Sequence, residues 1–336
     1  MKYNQFVATE KGGPEVLAWQ EEEKEPVQEG YLGINVEAAG VLLADILWQM
    51  GISPIGPKPP FTPGYDFVGV IDQIGVGLPG FEKGQRVAAM IQYGGYTEYA
   101  VVPAEKVILL PEGLDPVKAA AATTSYLTAY YLVHEEGRLE PGDVLLVHGA
   151  GGGTGSAVVE LASQLGIKVY GTASAAKHAL VESKGGIAID YKSQDFEEVL
   201  NTQESEGVDM VIDPIGGNIT SRSLRLLKPG GRLVSTAMIQ SMSGEGGLPV
   251  PLQMIRLPIW SLTHPGKKAY FWDVVNAANK DLSRYRSHLS KVFDLINEGK
   301  IKSEIGKQLP LRDAPKAQQM LLDYKVHGKV VLVNSN

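Results

Sequence analysis

The chain holds 336 residues, 44% of them apolar and 21% charged, with a net charge of −7 and no cysteine. That length leaves room for two domains with large cores, and the acidic balance excludes the basic footprint of a general nucleic-acid binder. Without cysteine there are no disulfides, thiolate nucleophiles or thiolate metal ligands, which fits a reducing compartment. Met1 leads into Lys2-Tyr3-Asn4-Gln5-Phe6 without an apolar leader. No apolar run approaches the roughly 18 residues of a membrane span. The expectation is a cytoplasmic protein with no membrane span.

Residues 1–126 read as short strands cut by glycine and proline: 33–39, 67–74, 86–91 and 97–102, with turn signals at Gly75-Val76-Gly77 and Pro79-Gly80. Asp115 is placed to cap a helix that has Pro116 in its first turn, over 116–122, and a further helical run covers 125–134. Strands and helices then alternate. Strands at 144–148, 168–172, 187–190 and 208–213 are each followed by a helix, at 156–165, 176–183, 196–202 and 219–227, and a strand at 232–236 closes the series. Such alternation predicts a parallel sheet with helices on both faces. Residues 238–263 break the rhythm with Leu248, Val250, Leu252, Met254, Ile255, Leu257, Ile259 and Trp260 among Pro249, Pro251 and Pro258. That pattern reads as too irregular for one amphipathic helix, and the expectation is a lid, a dimer contact or extra core. Helices at 287–297 and 314–324, with a stop at Gly299-Lys300 between them, lead to a last strand at 329–333.

The apolar strand at 144–148 runs straight into Gly149-Ala150-Gly151-Gly152-Gly153-Thr154-Gly155 and then a helix. A helix that starts at a tight glycine turn points its free N–H groups and the positive end of its dipole at whatever sits there, which suits a pyrophosphate. The spacing Ala150-x-Gly152-x-x-Gly155 matches the dinucleotide fingerprint with alanine in the first glycine slot. Folds that bind NAD place an acid at the end of the next strand, about 20 residues on, for the ribose 2′-hydroxyl. Here that strand ends Gly171-Thr172-Ala173-Ser174-Ala175-Ala176-Lys177, with no acid. A carboxylate would repel a 2′-phosphate, whereas the Ser174 hydroxyl and the Lys177 ammonium would attract one. The alternative for these two is a helix-capping serine and a solvated lysine.

Further stretches appear in a fixed order along the chain. They are Gly12-Gly13-Pro14-Glu15-Val16-Leu17, Pro63-Gly64-Tyr65-Asp66-Phe67-Val68-Gly69, Gly95-Tyr96-Thr97-Glu98-Tyr99, Thr124-Ser125-Tyr126-Leu127-Thr128-Ala129-Tyr130, Asp213-Pro214-Ile215-Gly216-Gly217 and Gly328-Lys329-Val330-Val331-Leu332. With the glycine turn, the chain resembles the zinc-independent quinone oxidoreductase (zeta-crystallin) and VAT-1-like branch of the medium-chain dehydrogenases/reductases. The resemblance implies an α/β protein with a GroES-like, β-rich catalytic domain, 1–126 rejoined by 281–336. Around the middle it implies a Rossmann NADPH-binding domain, 127–280, with a doubly wound parallel sheet, and a substrate cleft between the domains.

It also implies residue roles. Thr128 matches a position near the nicotinamide, Ser174 and Lys177 match the 2′-phosphate ligands, Tyr191 matches an adenosine-side tyrosine, and Lys329 completes the cofactor set with Ala150, Gly151, Gly152, Gly153, Thr154 and Gly155. Asp45, Tyr65 and Trp48 come from segments that line the cleft in relatives. Asp45, Tyr65 and Thr128 are therefore the candidate catalytic residues. A helix cap is the alternative for Asp45, and core packing is the alternative for Tyr65 and Trp48. The chain departs from the pattern at Leu42, where quinone reductases usually carry Asn or Ser facing the nicotinamide, at Gly151 (usually Ala or Ser) and at Glu160 (usually Gln).

Zinc-dependent relatives carry cysteine after the first-domain Ala-x-Gly and Gly-His-Glu further on. Here these sites read Gly40-Val41-Leu42-Leu43-Ala44-Asp45 and Gly64-Tyr65-Asp66, and the six histidines show no ligand spacing, so no metal site is expected. The expected function is zinc-free hydride transfer from NADPH to a small apolar electrophile, a quinone or an α,β-unsaturated carbonyl, by a homodimer. The alternatives are an NADPH-binding structural or regulatory protein without turnover, and a ketone or alcohol oxidoreductase.

Overall fold

The computed structural model describes residues 1–52, 56–242 and 250–334. It divides into two compact units, Met1–Leu127 with Val275–Asn336, and Thr128–Val274. In chain order the first stretch gives β1 (Lys2–Ala8), β2 (Leu17–Glu23), β3 (Tyr31–Val41), α1 (Leu43–Gln49), β4 (Asp66–Ile74), β5 (Arg86–Met90), β6 (Tyr99–Pro103), β7 (Val107–Leu109) and α2 (Pro116–Tyr130). The middle gives β8 (Val144–His148), α3 (Gly153–Gln164), β9 (Lys168–Ala173), α4 (His178–Ser183), β10 (Ile187–Asp190), α5 (Phe196–Gln203), β11 (Val208–Asp213), α6 (Gly217–Arg225) and β12 (Leu227–Ser235). After these come α7 (Ile239–Met242), α8 (Val250–Thr263), β13 (Lys268–Phe271), α9 (Val274–Lys280), α10 (Leu282–Asn297), β14 (Ile305–Pro310), α11 (Ala314–Leu322) and β15 (Lys329–Val333). No helix among the described residues is long and apolar enough to cross a membrane.

The first unit is built on a seven-stranded sheet in the order β14-β15-β3-β4-β5-β7, with β6 also pairing β3. Strand β3 pairs antiparallel with β4, β6 and β15. Leu32, Ile34, Val36 and Ala39 from this strand join Phe67, Ile71, Val87, Val330 and Leu332 in one core. Gly33 is needed there because the Tyr99 hydroxyl occupies the space a Cβ would fill. The hairpin β1–β2 adds Phe6 packed edge-on against Trp19, ring centroids 4.9 Å apart. Helix α10 is capped by Asp281, whose carboxylate accepts the Arg284 N–H at 2.9 Å, and Tyr285 ties it down by donating to the Lys106 carbonyl at 2.8 Å.

The second unit carries six parallel strands in the order β10-β9-β8-β11-β12-β13. This is the doubly wound arrangement, in which the strand order reverses beside the first strand of the unit, and ligands in such sheets sit outside the carboxyl ends of the strands. The central strands β8, β9 and β11 are buried on both faces, as parallel strands covered by helices must be, with Leu146, Tyr170, Val211 and Leu233 in the core.

Several elements differ from the sequence reading. The glycines from Gly153 onward lie inside α3, so the helix starts three residues before the expected 156. The run 116–122 and the first part of 125–134 form the continuous helix α2, Pro116–Tyr130, in which the Thr123 hydroxyl donates to the Ala119 carbonyl at 2.8 Å. A wider π-type turn follows over Tyr131–Gly137. The helix expected at 219–227 is α6 and stops at Arg225, Leu227 being the start of β12.

Residues 238–263, read as too irregular for one amphipathic helix, hold α7 (Ile239–Met242) and α8 (Val250–Thr263), the latter continuous despite Pro258. The irregularity arises because the helix has apolar residues on two sides. Leu257 is 4% exposed in the core with Met254 and Trp260 against it, while Leu252, Ile255, Ile259 and Leu262 point outward. Leu248 and Pro249 lie outside the described residues.

Candidate functional site

The turn after β8 is held by its own backbone. Ala150 N–H donates to the Thr172 carbonyl at 3.0 Å, Gly152 N–H to Gly149 at 3.1 Å, and Ser156 N–H, at 2.9 Å to Gly152, is the first helical bond. The amides of Gly153, Thr154 and Gly155 therefore lie in the first turn of α3, where no helical carbonyl can reach them. Gly149 has φ +69°, which only glycine adopts without strain. Gly155 lets the helix dock, since a Cβ there would strike the Gly149 carbonyl and come within 2.8 Å of Ala150 Cα. Gly152 is different. Its backbone is extended (φ −92°, ψ 174°), and a Cβ on it would meet nothing closer than the Gly149 oxygen at 3.4 Å. Nothing in the protein requires glycine at 152, and the open space above three unpaired amides is the cradle a pyrophosphate needs.

Ser174 and Lys177 open and close one 3-10 turn, with Lys177 N–H donating to the Ser174 carbonyl at 2.8 Å. Ser174 and Lys177 thus flank one short acid-free turn. Ser174 stands at the cap position, but its side chain makes no capping bond. Lys177 is half-buried, forms no ion pair among the described residues, and burial alone pulls its pKa down. An acid-free, partly dehydrated ammonium suits a phosphate. Tyr191, past the end of β10, is 56% exposed. Thr128 is buried on α2.

Below the glycine turn lies a site the sequence reading missed. The imidazole of His148 is 2% exposed, with Nδ1 3.0 Å from Thr172 Oγ1, Nε2 2.8 Å from Ser223 Oγ and the ring edge-on to Phe196. It joins the ends of β8 and β9 to α6. Burial pushes its pKa down to about 4, with Asp213 opposing and Arg222 reinforcing the shift, so the ring is neutral. The Asp213 carboxylate is itself fixed by the N–H groups of Ile215 (2.8 Å) and Gly216 (3.0 Å) and by the Thr220 hydroxyl. The available signal was a polar residue ending an apolar strand right before the glycines.

In the first unit, Asp45, Asp66, Tyr96 and Lys329 converge in a dry centre. Asp45 sits in the first turn of α1, where it accepts the Leu42 N–H at 2.8 Å and the Tyr96 hydroxyl at 2.9 Å. It thus fills the capping role, yet its Oδ1 is buried without a hydrogen-bond partner among the described residues. Burial raises its pKa to about 7, against the lowering effects of the Leu42 N–H, Lys329 and Tyr96. Asp66 accepts the N–H groups of Gly40 at 2.9 Å and Thr124 at 3.0 Å. The Lys329 ammonium is buried without a hydrogen-bond partner among the described residues, and burial lowers its pKa while Asp66 and Asp45 oppose that. A Cβ on Gly40 would collide with both Asp66 and Lys329. The structure thus brings Lys329 together with Asp45. It places Tyr65 (4% exposed) against Trp48, ring centroids 5.0 Å apart, inside the same unit.

This donor set does not fit zinc. Both carboxylates are engaged by backbone N–H groups, no imidazole or thiolate is in the set, and a lysine ammonium repels a dication. No group of three metal-type ligands is present among the described residues.

Residues 28–112 match the family model described as the alcohol dehydrogenase GroES-like domain, and residues 186–332 match that of the zinc-binding dehydrogenases. The zebrafish (Danio rerio) synaptic vesicle membrane protein VAT-1 homolog is 30% identical, covering 98% of this chain and 70% of its own length. A 2-haloacrylate reductase from Burkholderia sp is 30% identical over 97% of this chain and 98% of its own. The structure of Escherichia coli quinone oxidoreductase complexed with NADPH superposes with a TM-score of 0.88 at 25% identity, covering 98% of this chain and 99% of that one.

Two outcomes are expected. Gly152→Asp supplies a favoured helix cap, so the thermal midpoint should hold or rise, while its charge should cut dinucleotide affinity by about 100-fold or more in a fluorescence titration. His148 is an acid-sensitive strut. Its folded pKa of about 4 lies below the ordinary 6.5, so its stabilisation is present above pH 6.5 and is lost as pH falls through 4. The slope from one such group is at most about 1.4 kcal/mol per pH unit. Urea unfolding at pH 7 and pH 5 should show the wild type losing more stability than His148→Asn, and equal losses would refute the assignment.

Proposed function

The chain belongs to the medium-chain dehydrogenases/reductases, in their quinone oxidoreductase and VAT-1-like branch, and from that premise we propose that it is an NADPH-dependent, zinc-free reductase of quinones or α,β-unsaturated carbonyls. The observation that carries this reading is the open cradle at Gly152 combined with the acid-free turn that bears Ser174 and Lys177. The NADPH-bound Escherichia coli relative supports the choice of cofactor. The Burkholderia relative, named for reducing a conjugated alkene acid, supports the substrate class.

In this reading the amides of Gly153, Thr154 and Gly155, with Ala150, Gly151 and Gly152 around them, hold the pyrophosphate. Ser174 and Lys177 hold the 2′-phosphate, Tyr191 flanks the adenosine, and Thr128 and Lys329 serve the nicotinamide half. Bound NADPH supplies the hydride. Addition of hydride to a conjugated carbonyl moves an electron pair onto oxygen, and a proton must follow. Asp45, with a pKa near 7 and one free oxygen, is matched to hold that proton at neutral pH. Tyr65, braced by Trp48, gives an apolar wall for the substrate. The location proposed is the cytoplasm.

A second reading, an NADPH-binding protein without turnover, is favoured by the name of the VAT-1 relative, which refers to a vesicle membrane and to no reaction. The two diverge in one assay. Steady NADPH oxidation with 1,2-naphthoquinone or an alkenal is expected, with kcat falling by about 10- to 100-fold in Asp45→Asn at unchanged NADPH affinity. Tight binding with no turnover on any quinone, enone or enal would select the second reading.

We also propose a homodimer. Strand β13 is the last strand of its sheet among the described residues, and Ser261 on α8 covers it at Ala269, accepting from the N–H at 2.7 Å and donating to the carbonyl at 3.1 Å. The neighbouring row Leu252, Ile255, Ile259 and Leu262 is 49, 57, 53 and 82% exposed. An exposed apolar row beside the end of a sheet is a candidate self-association surface. Light scattering should give a dimer for the wild type and a folded monomer for Ile259→Asp/Leu262→Asp.

A further inference from the structure

Asp45 stands at the end of a hydrogen-bonded chain of buried side chains inside the first unit. Gln318 on α11 donates from Nε2 to Gln49 Oε1 at 3.1 Å, and Gln49, the last residue of α1, donates on to the Gly13 carbonyl. Gln318 is also hydrogen-bonded to the Tyr96 hydroxyl in the sense that favours the phenolate, so the amide donates to the phenol oxygen. Tyr96 in turn donates to Asp45 Oδ2 at 2.9 Å. Gln49, Tyr96 and Gln318 are fully buried. Packing alone would be served by phenylalanine at 96 and leucine at 318, and each buried polar group carries a desolvation cost.

What the chain does is distinguish the two oxygens of Asp45. Oδ2 accepts both the Leu42 N–H, at 2.8 Å, and the Tyr96 hydroxyl, whereas Oδ1 is buried without a hydrogen-bond partner among the described residues. In a protonated carboxyl the carbonyl oxygen is the better acceptor and the other oxygen carries the proton. Two donors therefore mark Oδ2 as the carbonyl oxygen. Burial and the adjacent Asp45 hold the Tyr96 phenol well above its ordinary 10, so it stays a donor.

We propose that Tyr96 and Gln318 are positioning residues for proton delivery: by aiming the phenol O–H at Asp45 Oδ2, they keep the proton of Asp45 on Oδ1. The inference rests on the reading of Asp45 as the group that holds the reaction's proton, and adds two residues that act only through it. The titratable groups facing Asp45 are Asp66 on β4, Lys329 on β15 and Tyr96 itself. Removing Tyr96 or Gln318 leaves both charged neighbours in place, so a shift in Asp45 reports the hydrogen-bond chain and not a change of charge.

The test follows Asp45 in two ways, in the wild type, Tyr96→Phe, Gln318→Leu and the double variant. One is the pH profile of kcat for NADPH oxidation with 1,2-naphthoquinone. The other is the carboxyl titration by carbon-13 NMR, which needs no turnover and in which Asp45→Asn assigns the resonance. A proton donor with a pKa of about 7 gives a kcat that falls as pH rises through that value. Tyr96→Phe takes one donor from the carboxylate, so the limb and the titration should both move up by about one pH unit. Gln318→Leu should move them the same way by less, and the double variant should match Tyr96→Phe, because Gln318 acts through the phenol. A limb and a titration that stay in place or move down in Tyr96→Phe, or a Gln318→Leu effect that persists without the phenol, overturn the inference alone. A carboxyl that shifts while the limb stays, or a limb that survives Asp45→Asn, overturns the role of Asp45 in the reaction. If Tyr96→Phe does not fold, Gln318→Leu decides by the same two readouts: an upward shift in both upholds the inference, and none overturns it.

Discussion

Helix α3 begins closer to the end of β8 than any side chain would allow, and the cofactor half of the molecule depends on that closeness. Gly155 abuts the Gly149 carbonyl, and Gly171 on β9 gives up its Cβ to Ala150, which would otherwise be 2.6 Å away. Strand, turn, helix and neighbouring strand are thus packed backbone to backbone. The unpaired amides end up at a fixed place because the helix cannot slide. Lys177 crosses the turn at close range for the same reason, and His148 fills the space beneath it with bonds to Thr172 and Ser223. The loss of side-chain bulk at the glycines converts a strand-to-helix connection into a rigid concavity lined by donors.

The two buried polar centres solve the cost of desolvation in different ways. His148 is kept uncharged, and both ring nitrogens are hydrogen-bonded, so it behaves as a neutral spacer. The Asp45, Asp66 and Lys329 centre keeps ionisable groups near one another but leaves the ammonium and one carboxylate oxygen without hydrogen-bond partners among the described residues. Burial shifts Asp45 up and Lys329 down, which brings both toward their neutral forms. Proton movement within this centre is therefore less costly than between the same groups in water.

Periodicity made the central α/β unit readable, since each strand is a short apolar run and each turn carries glycine. The dinucleotide turn was readable for a stricter reason: close approach leaves glycine as the usable residue at Gly149 and Gly155. Strands β13 and β14, with sequences KAYF and IGKQLP, have no such signature. They are strands because β12 and β15 offer them pairing partners. Helix α8 has no amphipathic signature because its outward row is as apolar as its inward one. The centre at Asp45 was only partly legible, as Asp66, Tyr96 and Lys329 lie far apart in sequence and meet through the packing of β4, α1 and β15. His148 was passed over among scattered histidines, since its partners Thr172 and Ser223 are remote in sequence.

The pairing of β15 with β3 joins residues 330–333 to residues 38–41, with the whole of the second unit threaded between them. During synthesis that second unit emerges, and can fold, while β3 is paired by β4 on one side and on the other only by β6, over Tyr31–Asn35. For that interval the apolar stretch Ala38–Val41 presents an unpaired edge, the kind of surface on which nascent chains associate wrongly. Residues 330–333 thus complete a sheet begun by β3, and a chain cut short before Lys329 would carry a finished α/β unit and, in the other unit, an open strand edge at residues 38–41. Dependence on intact translation follows from this fold's connectivity, quite apart from any chemistry it performs.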